Sequence, residues 1–489
     1  MQRLDANEKS PAKQYSCVRQ QARARYNIHP MKIRLLAFWD GVHSSYWFVP
    51  SFMAIMSLVL VVAMIELDQF IVYDNIKGYW WIYSGGAEGA RSVLSTIASS
   101  MITVAGVVFS ITIVALTLAS SQFGPRLLRN FVRDKGNQFV LGAFVAAFLY
   151  CLVVLRTVRG TDEDQFVPYL SVTGGLVMAI IGTGVLIYHI HHIAFLIQAE
   201  NVIAVVAGEL EDAIDSLFPQ HLGRGASRAD TDSADKKLEI FAQADGLDLD
   251  GDLNEVWEQK ARAVLASRSG YVQAIDEDRM MNTTRRHILL LGIEPRPGDF
   301  VPRGNVLAYA YPQERVDDKV AARIAGGFLI GTRRTPTQDA RFAALQLVEI
   351  AVRSLSPAVN DPFTAIACLD WLGSALSKMA EMPQISPRRY DDEGRLFMVA
   401  HCLNFPGMTD IAFNQIRQNA ATCPAVLIRL LETIAQVARH VQRSADREKL
   451  IAHALMVRDT HLYSTDRSRQ NSDDRDVEEA YDEAMRALQ

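Results

Sequence analysis

VLSTIASSMITVAGVVFSITIVALTLASS, Val93–Ser121, carries no charged side chain over its whole length. A helix crosses a hydrocarbon core of about 30 Å with about 20 apolar residues. At about 1.5 Å per residue this stretch is longer than that core, so it tilts or projects beyond it. Reading outward from it, three more apolar runs qualify as spans: Tyr46–Ile65, Phe139–Leu155 and Tyr169–Ile197. Tyr46, Trp47 and Phe48 open the first with the aromatic residues favoured at the headgroup level. The fold class expected is therefore an α-helical membrane protein. Four transmembrane helices come first and a cytoplasmic α+β region follows.

Loop charge sets the orientation. Arg19, Arg23, Arg25, Lys32 and Arg34 precede the first span, and Arg126, Arg129, Arg133 and Lys135 lie between the second and third. The other two loops carry Asp68, Asp74 and Glu88, and Asp162, Glu163 and Asp164. Positive flanks alternate with helix parity, which predicts cytoplasmic termini. The first 30 residues hold no apolar run, so the first span is expected to act as an uncleaved insertion signal.

Bulk composition excludes several classes. The chain has 489 residues and a formal net charge of −5, which gives a nucleic-acid partner no support. Its five cysteines, Cys17, Cys151, Cys368, Cys402 and Cys423, are scattered without zinc or disulfide spacing. No phosphate-binding glycine loop, Gly-x-Ser-x-Gly elbow or His-Glu-x-x-His motif occurs. No enzyme activity, cofactor or metal is expected.

Within the second span, Ser99, Thr103, Gly106, Ser110, Thr117 and Ser121 recur three, four or seven apart and form one small, polar stripe. Such a stripe lines a hydrated pathway, where hydroxyls replace part of an ion's water shell, or lets neighbouring helices approach closely. A proton-relay pump is disfavoured, because the span holds no ionisable side chain. Gly124-Pro125 breaks the helix, and Arg126, Arg129 and Arg133 then share one face. They suit anionic headgroups, or a ring of positive charge at a pore mouth. His189 and His192 share a face at the end of the fourth span, with too few neighbouring ligands for a metal.

The chain divides into a basic segment 1–45, the membrane domain 46–197, a helical extension 198–222 and a linker 223–264. A β-rich module 265–312, a helical domain 313–460 and a charged tail 461–489 follow. The module is barrel-like in expectation: it resembles the small β-barrels of biotinyl and lipoyl carriers, but no lysine occupies the modification turn. In the helical domain, Ser356-Pro-Ala-Val-Asn-Asp-Pro-Phe-Thr364 separates two helices, with Asp361 as cap and Pro362 in the first turn. Ser356, Asn360 and Asp361 are also candidates for contact with a ligand or a neighbouring subunit. Val477, Tyr481, Met485 and Leu488 predict a short docking helix at the end of the tail.

Ser-Gln-Phe-Gly-Pro-Arg126, His191-His-Ile-Ala194, Ser269-Gly-Tyr-Val-Gln273 and Ser356-Pro-Ala-Val-Asn-Asp-Pro-Phe-Thr-Ala365 together resemble the bacterial membrane proteins of "domain of unknown function 2254". The resemblance covers roughly residues 30 to 460. It implies an inner-membrane location and supplies no catalytic residue. The leading expectation is a homo-oligomeric ion channel, in contact with the lipid bilayer and small ions, whose cytoplasmic domain gates and assembles it. The alternative is a non-conducting scaffold or sensor whose cytoplasmic domain binds a partner.

Overall fold

A computed structural model describes residues 47–70, 82–127, 131, 134–161, 164–217, 219, 224–225, 257, 260–391, 395–464 and 472–489. The first unit comprises residues up to Thr112 together with Val132–Ile190; the second comprises Ile113–Phe131 and His191–Gln489.

Four long apolar helices are α1 (Phe48–Phe70), α2 (Ala87–Phe123), α3 (Lys135–Thr157) and α4 (Tyr169–Leu196). Each is long and apolar enough to cross a membrane. α2 and α3 contain the spans expected from the sequence, α1 covers the expected one from Phe48 onward, with Tyr46 outside the described residues, and α4 ends one residue short of Ile197. The second starts six positions before Val93, at Ala87, because Glu88 favours the positive end of the helix dipole. In the first unit α1 packs along α3. Gly142 makes the approach possible: a methyl group there would stand 3.1 Å from the Pro50 Cα. Ser57 Oγ donates to the Ala146 carbonyl at 2.6 Å across that contact. At the other end of α1, the Asp68 carboxylate accepts from Leu170 N (2.8 Å) and Ser171 N (2.9 Å), satisfying orphan amides of α4.

The second unit holds two cores. A helical core gathers α5 (Ala199–Asp215), α8 (Ala340–Ser354), α9 (Pro362–Glu381), α10 (Phe405–Asn419), α11 (Pro424–Ala438), α12 (Ser444–Ser464) and α13 (Ser472–Ala487). The expected extension is α5, set off from α4 by Gln198, with Val202, Ile203, Val206, Leu210 and Ile214 buried. The expected terminal helix begins earlier, at Ser472, and buries Val477, Tyr481, Ala484 and Leu488.

The other core lies between α6 (Glu277–His287), α7 (Asp318–Ala325) and two sheets. The strands are β3 (Arg224–Gly225), β4 (Arg262–Leu265), β5 (Gly270–Ile275), β6 (Leu290–Ile293), β7 (Phe300–Val301), β8 (Val306–Tyr311), β9 (Phe328–Gly331), β10 (Arg388–Tyr390) and β11 (Leu396–Ala400); β1 and β2 form the hairpin Arg159–Thr161/Asp164–Phe166 between α3 and α4. One sheet runs β3-β10-β11-β6-β8-β4, the other β7-β5-β9. Both run in open order among the described residues, in place of the barrel-like module expected of 265–312. The reason is strand recruitment: β6 pairs in parallel with β11, and β5 pairs with β9, both beyond residue 312. Of the expected linker, only β3, Trp257 and the stretch from Lys260 into β4 are described.

Candidate functional site

Two features of the sequence meet at the end of α2. The helix stops at Phe123, and Gly124 takes φ +107°, a backbone conformation that side chains with a Cβ rarely adopt. Pro125–Leu127 then makes one 3₁₀ turn. The kink carries the chain against α8. A Cβ on Gly124 would stand 2.5 Å from Glu349 Oε1, the far end of a flexible side chain that can shift, so φ is the stronger reason for glycine. Glu349 in turn pairs with Arg126 (Nη1–Oε2, 3.3 Å) and with Arg353 (Nε–Oε1, 3.5 Å). Arg353 Nη1 donates to the Ser121 carbonyl at 3.4 Å, an orphan acceptor at the negative end of the helix dipole. Ala119 and Phe123 are buried in the helical core of the same unit. The end of α2 is thus held by two buried side chains, one cap and one ion pair. The pair is worth about 0–1 kcal/mol, since Arg126 is half exposed, so the buried side chains dominate.

Sequence reading did not find Glu349 or Arg353. Their four-residue spacing suggests only an exposed pair on one helix face. Nothing local reveals a partner more than 200 positions away.

The 356–364 motif continues from the same helix. Ser356 Oγ donates to the Arg353 carbonyl (2.7 Å), and Asp361 N donates to the Ser354 carbonyl (2.8 Å). Asn360 takes φ +50°, where asparagine is tolerated. Asp361 caps α9: Oδ1 accepts from Phe363 N (3.1 Å) and Thr364 N (3.2 Å), and Oδ2 from Thr364 Oγ1 (2.6 Å). Pro362 opens the helix. The three candidate residues therefore build the turn itself. Val359 and Phe363 beside them are exposed, Phe363 at 80%.

On α2 the two faces differ. Leu94, Ile97, Ala98, Met101, Ala105, Val108, Ala115, Ala119 and Phe123 are buried. At 100° per residue they lie opposite Ser99, Thr103, Gly106, Ser110, Thr117 and Ser121, which are all exposed. The hydroxyls donate to carbonyls one turn back: Thr103 to Ser99 (2.7 Å), Ser110 to Gly106 (2.9 Å), Thr117 to Ile113 (2.9 Å), and Ser121 to Leu118 (2.8 Å). A methyl group on Gly106 would meet nothing within 4 Å. The alanines, not the hydroxyl stripe, serve packing inside the chain. Arg129 and Arg133 lie outside the described residues.

Polar groups also sit in the helical core. His453 is fully buried, with Nε2 3.0 Å from Asp410 Oδ1, and Lys449 Nζ lies 2.7 Å from Asp410 Oδ2. Burial holds the His453 pKa down. Asp410 stays below the ordinary carboxylate range: its own burial would raise it, and hydrogen bonds from Lys449 and His453 outweigh that. Among the described residues no three metal-ligating side chains come together.

Four long apolar helices and a mixed helical and sheet region define a polytopic helical membrane protein with a large polar part. The chain belongs to the family described as "Predicted membrane protein (DUF2254)", which matches residues 43–436. It is similar to an uncharacterized protein of Mycobacterium tuberculosis (strain H37Rv), 31% identical over 416 residues, covering 83% of this chain and 74% of that relative. An uncharacterized protein of Mycobacterium bovis matches to the same extent. No solved structure matches the chain.

Proposed function

We propose that this protein is a homo-oligomeric channel of the bacterial inner membrane for small ions, with both termini and the α+β region in the cytoplasm. The observation that carries the reading is the stripe on α2. Its six small or hydroxylated residues are exposed, opposite the buried side chains of α2. A mid-helix glycine costs about 1 kcal/mol against alanine, and Gly106 relieves no contact inside the chain. Around an oligomer axis, the stripe gives water and ions a narrow lining of hydroxyls. Arg126, just past the kink, then stands at the inner mouth. Because Arg353 and Glu349 grip the end of α2, the helical core is the element that moves it. The positive-inside pattern supports the orientation.

Purified protein in planar bilayers is expected to conduct, and Thr103→Leu or Ser110→Leu to reduce the current several-fold without loss of assembly. Silence across voltage, pH and tension contradicts the proposal. Exposed Val359 and Phe363 favour the second reading, a scaffold that binds a partner through this turn. A stoichiometric partner lost on Phe363→Ser, together with silent bilayers, selects it.

A further inference from the structure

Inside the first unit, the contacts among α2, α3 and α4 repeat in layers. A Cβ on Gly175 would stand 3.1 Å from Leu94 Cδ2 and 3.3 Å from Cys151 Sγ. A Cβ on Gly182 would stand 3.2 Å from Met101 Sδ and 3.6 Å from the Phe144 ring. From the first layer to the second, α2 and α4 each advance seven residues and α3 goes back seven, so α3 runs opposite to the other two. Seven residues make close to two turns, which keeps the same face of each helix. One more step of seven reaches Val108, Asn137 and His189, and all three are buried. Two apolar layers are thus followed by a polar one.

Burial at this level is inverted. Asn137 is 3% exposed, Gln138 1% and His189 1%, while Phe139, Ile187 and Ile190 beside them are 47%, 66% and 62% exposed. A core built only to exclude water places such residues the other way round. A buried polar group costs free energy unless it is hydrogen-bonded. Asn137 N donates to Asp134 Oδ2 at 2.8 Å, which fixes the start of α3 and leaves the side chain to be satisfied separately. Asn137 Oδ1 is buried and has no hydrogen-bond partner among the described residues. Val108 closes the layer with a side chain that has no donor to give it.

We propose that this third layer is a water-binding site inside the first unit, in which water donates to Asn137 Oδ1 and bonds to the His189 ring, with the Gln138 amide beside them. An internal water makes about three hydrogen bonds, and three polar side chains at one level supply them. Amide and imidazole each offer both donors and acceptors, so the water is satisfied in either orientation. Two amides and one imidazole are too few and too weak a set for a metal ion, and no trio of metal-ligating side chains forms among the described residues. Polar side chains in apolar helices of this kind turn toward the interior and mark hydrated sites. The site lies on the buried side of α2, opposite the hydroxyl stripe, and does not depend on the assembly of copies of the chain.

Water-edited solid-state NMR of the full chain in lipid bilayers, with isotope-labelled histidine, asparagine and phenylalanine, tests the site. Loss of signals in His189→Phe and Asn137→Leu assigns the two side chains. Magnetisation is expected to pass from water to the His189 ring and the Asn137 amide several-fold faster than to the Phe144 ring, one layer away. Asn137→Leu should slow the transfer to His189 several-fold, and Asn137→Ser, which keeps a hydroxyl, should slow it less. Transfer to His189 in the parent no faster than to Phe144 overturns the site. Fast transfer to His189 that is unchanged in Asn137→Leu, or slow transfer to the Asn137 amide, overturns the sharing of one layer. Where Asn137→Leu does not fold, the transfer rates of the parent alone decide.

Discussion

Arg353 on α8 donates through Nη1 to the Ser121 carbonyl at 3.4 Å and so caps the end of the longest apolar helix. The same guanidinium lies 3.5 Å from Glu349, which pairs with Arg126 just past the kink. Arg353→Ala removes the cap and the second ion-pair partner of Glu349. We expect a loss of about 1 kcal/mol in the unfolding of the polar region, and Arg353→Lys to recover part of it. Thermal denaturation in detergent measures both. An Arg353→Ala protein as stable as the parent contradicts the cap.

Gly124→Ala meets two obstacles at once, a φ of +107° and the Glu349 carboxylate. Backbone strain of this kind costs about 1–3 kcal/mol. The expected result is a larger stability loss than for Arg353→Ala. A second variant, Gly124→Ala with Glu349→Ala, should recover only the part due to collision. Full recovery would show that φ is not the constraint.

In the turn between α8 and α9, Asp361 and Asn360 have separable roles. Asp361→Ala deprives Phe363 N and Thr364 N of their acceptor and is expected to cost about 1 kcal/mol. Asn360→Gly relaxes a positive φ and should be neutral or stabilising by under about 1 kcal/mol. Chemical denaturation of the two variants distinguishes a structural turn, where Asn360→Gly keeps every function, from a ligand contact, where it does not.

Stability should also depend on pH through Glu277 in the first turn of α6. Burial pushes its carboxyl up to about 7; the Arg389 guanidinium opposes the rise, and Asp278 and Asp276 add to it. The folded protein therefore favours the protonated acid. The stabilisation is complete below the unfolded value of 4.5 and is lost as pH rises from there through about 7. Glu277→Gln should raise the melting temperature at pH 8 relative to the parent and flatten this part of the profile. Parallel profiles for parent and variant between pH 5 and 8 would refute it.

The spans were legible because each needs only about 20 apolar residues in a row, a local property. Asp361 as a cap was legible for the same reason, since its partners lie two and three residues away. The sheets were not, because β6 finds β11 and β5 finds β9 only after the chain has returned, and alternation of apolar residues does not name a partner. Glu349 and Arg353 were hidden likewise: their sequence neighbourhood is a helix, and their meaning comes from Ser121, Gly124 and Arg126. The stripe could be listed from the sequence, but its exposure opposite the buried alanines required the packed helices.

Whether that stripe meets water is open to one direct measurement. Ser110→Cys and Ile180→Cys, each the sole cysteine of the chain, are treated in intact membranes with a charged, membrane-impermeant thiol reagent. Both positions are exposed on the single chain, and Ile180 lies on an apolar helix surface suited to lipid. The account predicts that the residue 110 thiol reacts and the residue 180 thiol does not. Equal inertness of the two would contradict it.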